Sequence, residues 1–283
     1  MNSTKEVNGI IQYELNSWEE FSGFILENHS NCPAFIYRGQ SNAEWKIEST
    51  LDRLEKRYPR TPNYTLDRNP EYFECPPTLR EVHLKAFKNA VQGKRSANPP
   101  KLTDDEWWVL AQQHGLATPM LDWTLSPFVA LFFAFEHNNC HNPNQEYITP
   151  KKRAVLCLLS SWNMIKNPPD KSAPRLFLPT KETSYRLLNQ CGVFLKMPPG
   201  SDLESYIENN WECNQATVEI LQKIIISTKY PNKDRIECLK YLNKMNINRM
   251  SLFPDIDGAA SYINSLWELD FDTSLGYLPD NLD

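Results

Sequence analysis

Apolar residues recur at helical spacing in Phe21, Phe24 and Ile25, behind Ser17 and the acids Glu19 and Glu20, so a helix is predicted to open at Ser17. Pro33 then introduces Ala34-Phe35-Ile36-Tyr37, a run of β formers that predicts a buried strand ending in Arg38-Gly39-Gln40. Helical spacing returns over residues 78–92 through Leu79, Val82, Ala86, Phe87 and Ala90. It returns again after Thr103-Asp104-Asp105-Glu106, carrying Trp107, Trp108, Leu110 and Ala111 as far as Gly115. Ser126-Pro127 opens a fourth helix, apolar nearly all round to Glu136, which predicts deep burial. Residues 154–159 form the clearest central strand, with shorter candidates at 175–178, 192–196 and 224–227. Two more helices are predicted over 231–245 and 258–269. Residues 57–77 and 94–101 mix prolines with charges and read as polar connections.

Helices and strands interleave without the steady alternation of a doubly wound sheet. The prediction is an α+β fold: a single mixed domain with a small central sheet surrounded by helices and a helical C-terminal extension. Its expected bounds are 16–270, with an N-terminal segment at 1–15 and a tail at 271–283.

Composition narrows the function classes. The 283 residues carry a formal net charge of -5, which argues against a general nucleic-acid coat and makes nucleic acid an unexpected partner. Seven cysteines lie far apart, with no Cys-x-x-Cys, so free thiols are expected rather than a disulfide framework or structural zinc. No leader is seen at Met1 and no apolar run is long enough to span a bilayer, so a cytoplasmic protein without membrane contact is expected.

Four segments carry candidate chemistry. In Tyr37-Arg38-Gly39-Gln40, an arginine leaving a buried strand can fork onto phosphate or carboxylate, while the glycine is read as admitting a ligand to the backbone. The alternative is an arginine that pairs with a neighbouring acid, and Trp45 downstream reads as core. Between Trp107 and Pro127, the polar residues Gln112, His114, Thr118, Asp122, Thr124 and Ser126 sit densely in apolar sequence. Such a cluster implies a hydrogen-bond network or a polar ligand. The helix opening at Ser126 offers amides as a second anion site. Arg186 and Gln190 share a helical face before Gly192, as a second clamp or a solvated pair. In Leu252-Phe253-Pro254-Asp255-Ile256-Asp257-Gly258, too few oxygen ligands remain for calcium, and Asp257 is expected to cap the terminal helix.

Together these segments resemble the FRG domain of bacteria and phages, named for an aromatic-Arg-Gly motif. Tyr37-Arg38-Gly39-Gln40 stands for that motif. Residues 112–134 are similar to the family's Gln-His, Leu-Asp-Trp-Thr, Ser-Pro and Ala-Leu-Phe-Phe-Ala run, and Gln190-x-Gly192-x-Phe194 and Leu252 to Gly258 follow in order. Gln113 stands where a histidine is usual and Ala117 where a proline is usual. The resemblance implies a member of bacterial defence or toxin neighbourhoods, with a protein partner encoded nearby.

A looser similarity, to arginine-led ADP-ribosyltransferases, implies an ADP-ribosyltransferase-like fold and site. Arg38, Thr124-x-Ser126 and Gln190 follow the order of that class, with glutamine where its catalytic glutamate stands. The expected function is a nucleotide-handling effector that takes NAD or another anionic small molecule, cleaving a glycosidic bond or transferring ADP-ribose, with no cofactor required. Arg38, Asp122 and Gln190 are the candidate catalytic residues. Tyr37, Gly39, Gln40, His114, Trp123, Thr124, Ser126 and Arg186 are the candidate binding residues, Tyr37 or Trp123 stacking on a ring. The alternatives are a non-catalytic sensor or interaction module, and a metal-assisted phosphoesterase using His114, Asp122, Asp255 and Asp257.

Overall fold

Eight strands, the central ones buried along most of their length, build one mixed sheet, seen in a computed structural model that describes residues 2–30, 35–59, 78–95, 99–137, 151–170, 172–179, 185–211 and 219–269. The strands are β1 (Asn2–Val7), β2 (Ile10–Leu15), β3 (Phe35–Gln40), β4 (Met120–Thr124), β5 (Lys152–Leu159), β6 (Arg175–Phe177), β7 (Gly192–Lys196) and β8 (Leu221–Ser227). Their order is β1-β2-β8-β5-β3-β4-β7-β6, with β2 parallel to β8 and every other pair antiparallel. Eleven helices surround it among the described residues: α1 (Glu20–His29), α2 (Thr50–Arg57), α3 (Leu79–Ala90), α4 (Asp104–Gln113), α5 (Pro127–Glu136), α6 (Asn163–Lys166), α7 (Tyr185–Asn189), α8 (Leu203–Asn210), α9 (Pro231–Lys244), α10 (Arg249–Leu252) and α11 (Ile256–Glu268). The fold is α+β, as the pattern predicted.

Local chemistry sets the helix ends. Thr78 and Thr103 close capping boxes with Glu81 and Glu106, and Ser126 accepts from Val129 N with Pro127 in the first turn. Gly115, at φ +82°, takes the left-handed backbone that ends α4. Two expected caps move. α1 starts at Glu20 because Phe21 N closes a turn onto Trp18 O, and Ser17 stays outside it. Asp255, not Asp257, caps α11, accepting from Gly258 N at 2.8 Å, and Asp257 falls in the first turn.

Residues 2–15, to which the pattern assigned no element, supply β1 and β2, and β2 runs beside β8. The tail at 271–283, most of 57–77, and Cys32, Cys75, Cys140 and Cys213 lie outside the described residues. Cys157, Cys191 and Cys238 are free thiols, and burial pushes the Cys157 and Cys238 thiols well up from the ordinary thiol range. Among the described residues no helix is long and apolar enough to cross a membrane.

One continuous apolar layer covers a face of the sheet across β3, β4, β5, β7 and β8: Ile36, Leu121, Trp123, Leu156, Leu195 and Leu221 pack there with Trp162, Leu203 and Ile207. The opposite face carries two separate layers. Tyr37, Val155 and Ile224 pack under α1, α5 and α9, while Met120 and Phe194 pack under α2, α3 and α4. The boundary between them is the contact of β3 with β4, which consists of the single pair Tyr37 and Thr124. Past it the two strands part, β3 staying with β5 and β4 with β7. The sheet is split there, and the split positions the site.

Candidate functional site

A cavity of about 670 Å³ opens over the split, walled by Gln112 of α4, Phe133 of α5 and Arg186 of α7, with Arg38 and Asp122 at its floor. Its volume lies within the range of small-molecule pockets, roughly 300–1,000 Å³. Arg38 reaches across the gap and donates from Nη1 to the Asp122 carbonyl at 2.6 Å, in the place a ladder bond would occupy. Its Nε is buried without a partner, and Nη2 makes no hydrogen bond among the described residues.

The Asp122 carboxylate accepts from Gln112 Nε2 at 2.7 Å, and Gln112 Oε1 in turn accepts from Thr118 Oγ1. Asp122 meets water only inside a cleft enclosed by protein, so it is open to solvent by area yet poorly solvated as a charge. Burial therefore raises its pKa, and Arg38 offsets part of the rise. Arg38 is shifted down by burial, with Asp122 opposing and Arg53 adding to the fall. Both shifts have one reading: desolvation outweighs the attraction between the two groups.

Nine of the expected site residues line this cavity: Tyr37, Arg38, Gly39, Gln40, Asp122, Trp123, Thr124, Arg186 and Gln190. Several do so in a way the sequence did not indicate. Gly39 is small for α5, since a Cβ there would lie 2.5 Å from Ala134 N and closer still to Ala130 O. Helix-on-strand packing alone therefore requires a glycine at this position, which also lines the cavity. The rings of Tyr37 and Trp123 are 5% and 2% exposed and belong to the core, so neither has a face free for stacking. Tyr37 Oη instead shares a 2.9 Å hydrogen bond with His29 Nδ1, and His29 Nε2 meets Gln222 Oε1 at 2.9 Å.

Thr124 Oγ1 donates to Gln190 O at 2.6 Å and accepts from Ser126 N at 3.0 Å. Gln190 Nε2 donates to Leu252 O at 3.1 Å. Both groups tie β4 to α7 and α10. Arg186 is paired by Asp255 and lies over the Phe253 ring at 5.5 Å. Gln40, 5% exposed, lines the cavity with its Oε1 unpartnered.

His114 and Ser126 are not brought in. His114 is the exposed C-cap of α4, and Ser126 Oγ is occupied by the Val129 amide. Among the described residues no three His, Cys, Asp or Glu side chains converge as metal ligands.

Trp45, read as core, is 47% exposed and lines the cavity, as do Phe253 and Arg53. No local signal distinguishes Trp45 from a core tryptophan or Arg53 from any helix-surface arginine. Gln112 stood within a visible polar cluster, and its contact with Asp122 follows only from how α4 packs beside β4.

No curated protein and no solved structure matches the chain. The family model of the FRG domain does match, over residues 33–143. That span contains β3, α4, β4 and α5, the elements that bound the split. Residues 33–143 are thus similar to the FRG domain, and Arg38 and Asp122, both within that span, face each other across the split sheet.

Proposed function

We propose that the split-sheet cleft binds an anionic nucleotide and that the protein is a nucleotide-handling effector. The observation that carries the reading is Arg38: a guanidinium fixed at one end on Asp122 O and lining a cavity of nucleotide size. A guanidinium fork held in this way suits phosphate oxygens, and holding it in advance lowers the ordering cost of binding. Trp45 and Phe253 offer apolar ring faces at the cleft wall.

The reaction class that suits such a ligand is glycosidic cleavage, with NAD as substrate and water or a protein side chain as acceptor. In that chemistry the C–N bond to the base breaks, the base leaves neutral with the bonding pair, and the acceptor oxygen or nitrogen bonds to the anomeric carbon as its proton passes to solvent. Asp122 is the carboxylate beside the cleft floor that would face the positive charge on the sugar. A defence or toxin role rests on the family resemblance alone.

A non-catalytic sensor is the second reading, and one observation favours it. Thr124 and Gln190 are committed to backbone carbonyls, and Asp122 is biased toward its neutral form. Few groups are left to do chemistry.

Ligand-induced thermal stabilisation against NAD, ADP-ribose, ATP and cyclic nucleotides tests the proposal, with wild type beside Arg38→Ala. A ligand at a hundredfold its dissociation constant adds about 2.7 kcal/mol. A shift that vanishes in Arg38→Ala is expected. No shift with any nucleotide, or an undiminished one in the variant, overturns the nucleotide reading. Release of free base from NAD, followed by chromatography, separates enzyme from sensor.

A further inference from the structure

The cleft holds more positive charge than its own acids neutralise, and the surplus sits at one place. Arg186 is paired by Asp255, and Lys46 by Asp202 at 3.5 Å. The Glu48 carboxylate is taken by Lys56, and Asp122 answers Arg38. Arg53 remains. Its Nη1 donates to the Glu48 backbone carbonyl at 3.2 Å, and among the described residues it has no carboxylate partner.

Arg53 lines the same cavity as Arg38, close enough that its charge disfavours the charge of Arg38. It is also held on a firm base. Asp52, its neighbour on α2, is 1% exposed and accepts from Arg80 Nη2 at 2.6 Å and Gly200 N at 2.9 Å. Two guanidiniums lining one cavity, one of them without a carboxylate partner, repel until an anion lies between them. A single phosphoryl group satisfies one fork, whereas two linked phosphoryl groups present oxygens to both.

We infer that Arg53 is the second arm of an anion clamp with Arg38, and that the clamp selects ligands with a diphosphate over those with a single phosphoryl group. The inference rests on the nucleotide reading above and narrows it to the class of nucleoside diphosphates and diphosphate-linked dinucleotides.

Calorimetric titration with ADP and AMP, and with inorganic pyrophosphate and orthophosphate, tests it on the full chain. Wild type is expected to prefer the diphosphate member of each pair by at least about tenfold. Arg53→Leu should bring that ratio close to one while AMP affinity changes by less than about threefold. Arg53 is exposed, so the variant should unfold at the wild-type temperature. Arg57→Leu removes the same charge from the same helix outside the cavity and should keep the wild-type ratio.

A ratio near one in wild type, a ratio unchanged by Arg53→Leu, or an equal loss in Arg57→Leu each overturns the clamp while leaving Arg38-dependent binding in place. Absence of binding in wild type, or binding that Arg38→Ala leaves intact, overturns the nucleotide reading and the clamp with it.

Discussion

Arg38 and Asp122 meet twice across the split in the sheet: Nη1 donates to the Asp122 carbonyl at 2.6 Å, and the two side-chain charges attract. The pair is nevertheless not a simple ion pair, because burial moves both groups toward their neutral forms. An acid whose folded pKa is raised binds its proton more tightly in the folded state. Stability attached to that proton is complete below the ordinary aspartate range and is lost as pH rises through the raised value.

Asp122→Asn removes this loss, since its amide oxygen can still accept from Gln112 Nε2. The variant should match wild type below the ordinary aspartate range and gain on it as pH rises through that range, levelling off once folded Asp122 ionises, in urea unfolding at stepped pH. An advantage that is flat with pH, or a wild type that gains as pH rises, would show that Arg38 outweighs desolvation.

Gly39→Ala tests the packing role of the family's glycine. The added methyl would meet the α5 backbone at Ala130 O and Ala134 N, which cannot rotate aside as a side chain can. Strand and helix must separate, so a loss of roughly 3 kcal/mol or more is expected in denaturant unfolding. A loss below about 1 kcal/mol would return the glycine to a ligand-facing role.

Tyr37→Phe should dissociate stability from binding. It removes the hydroxyl bonded to His29 Nδ1 and leaves that buried nitrogen unpaired, at a cost of about 1–3 kcal/mol. The hydroxyl points to α1 rather than into the cleft, so the nucleotide-induced shift should be unchanged. A variant with normal stability and lost ligand response would place the phenol in the site after all.

The legible parts of the molecule were those set by local sequence. Thr78, Thr103 and Ser126 cap their helices because hydroxyl, acid and proline spacing is a short-range rule. Residues 154–159 read as a central strand because every position from Arg153 to Leu158 is buried. Arg38 and Asp122 were legible as polar groups in apolar surroundings. Their meeting was not, because they lie 84 positions apart and depend on β3 and β4 sharing one bridge.

Tyr37, Trp123 and Gly39, the motif's strongest letters, are held by core packing as well as by their place along the cavity, which no local pattern separates. Arg53 was missed for another reason. Nothing near Ser49 marks that turn of α2 as facing a cavity, and the bonds that hold its Asp52, from Arg80 and Gly200, come from distant segments.

Gln190→Glu addresses the position where the ADP-ribosyltransferase likeness expects its acid. Gln190 Nε2 donates to Leu252 O, a bond that a carboxylate cannot make, and the change sets an anion against a carbonyl oxygen. Arg186, one turn earlier, is already paired by Asp255 and offers no free charge to compensate. The variant should lose about 1–3 kcal/mol of stability. It should also release no more free base from NAD than wild type, because residue 190 braces α7 against α10. If Gln190→Glu instead folds as stably as wild type and gains NAD cleavage, residue 190 is free to enter the cleft, and the likeness extends from residue order to chemistry.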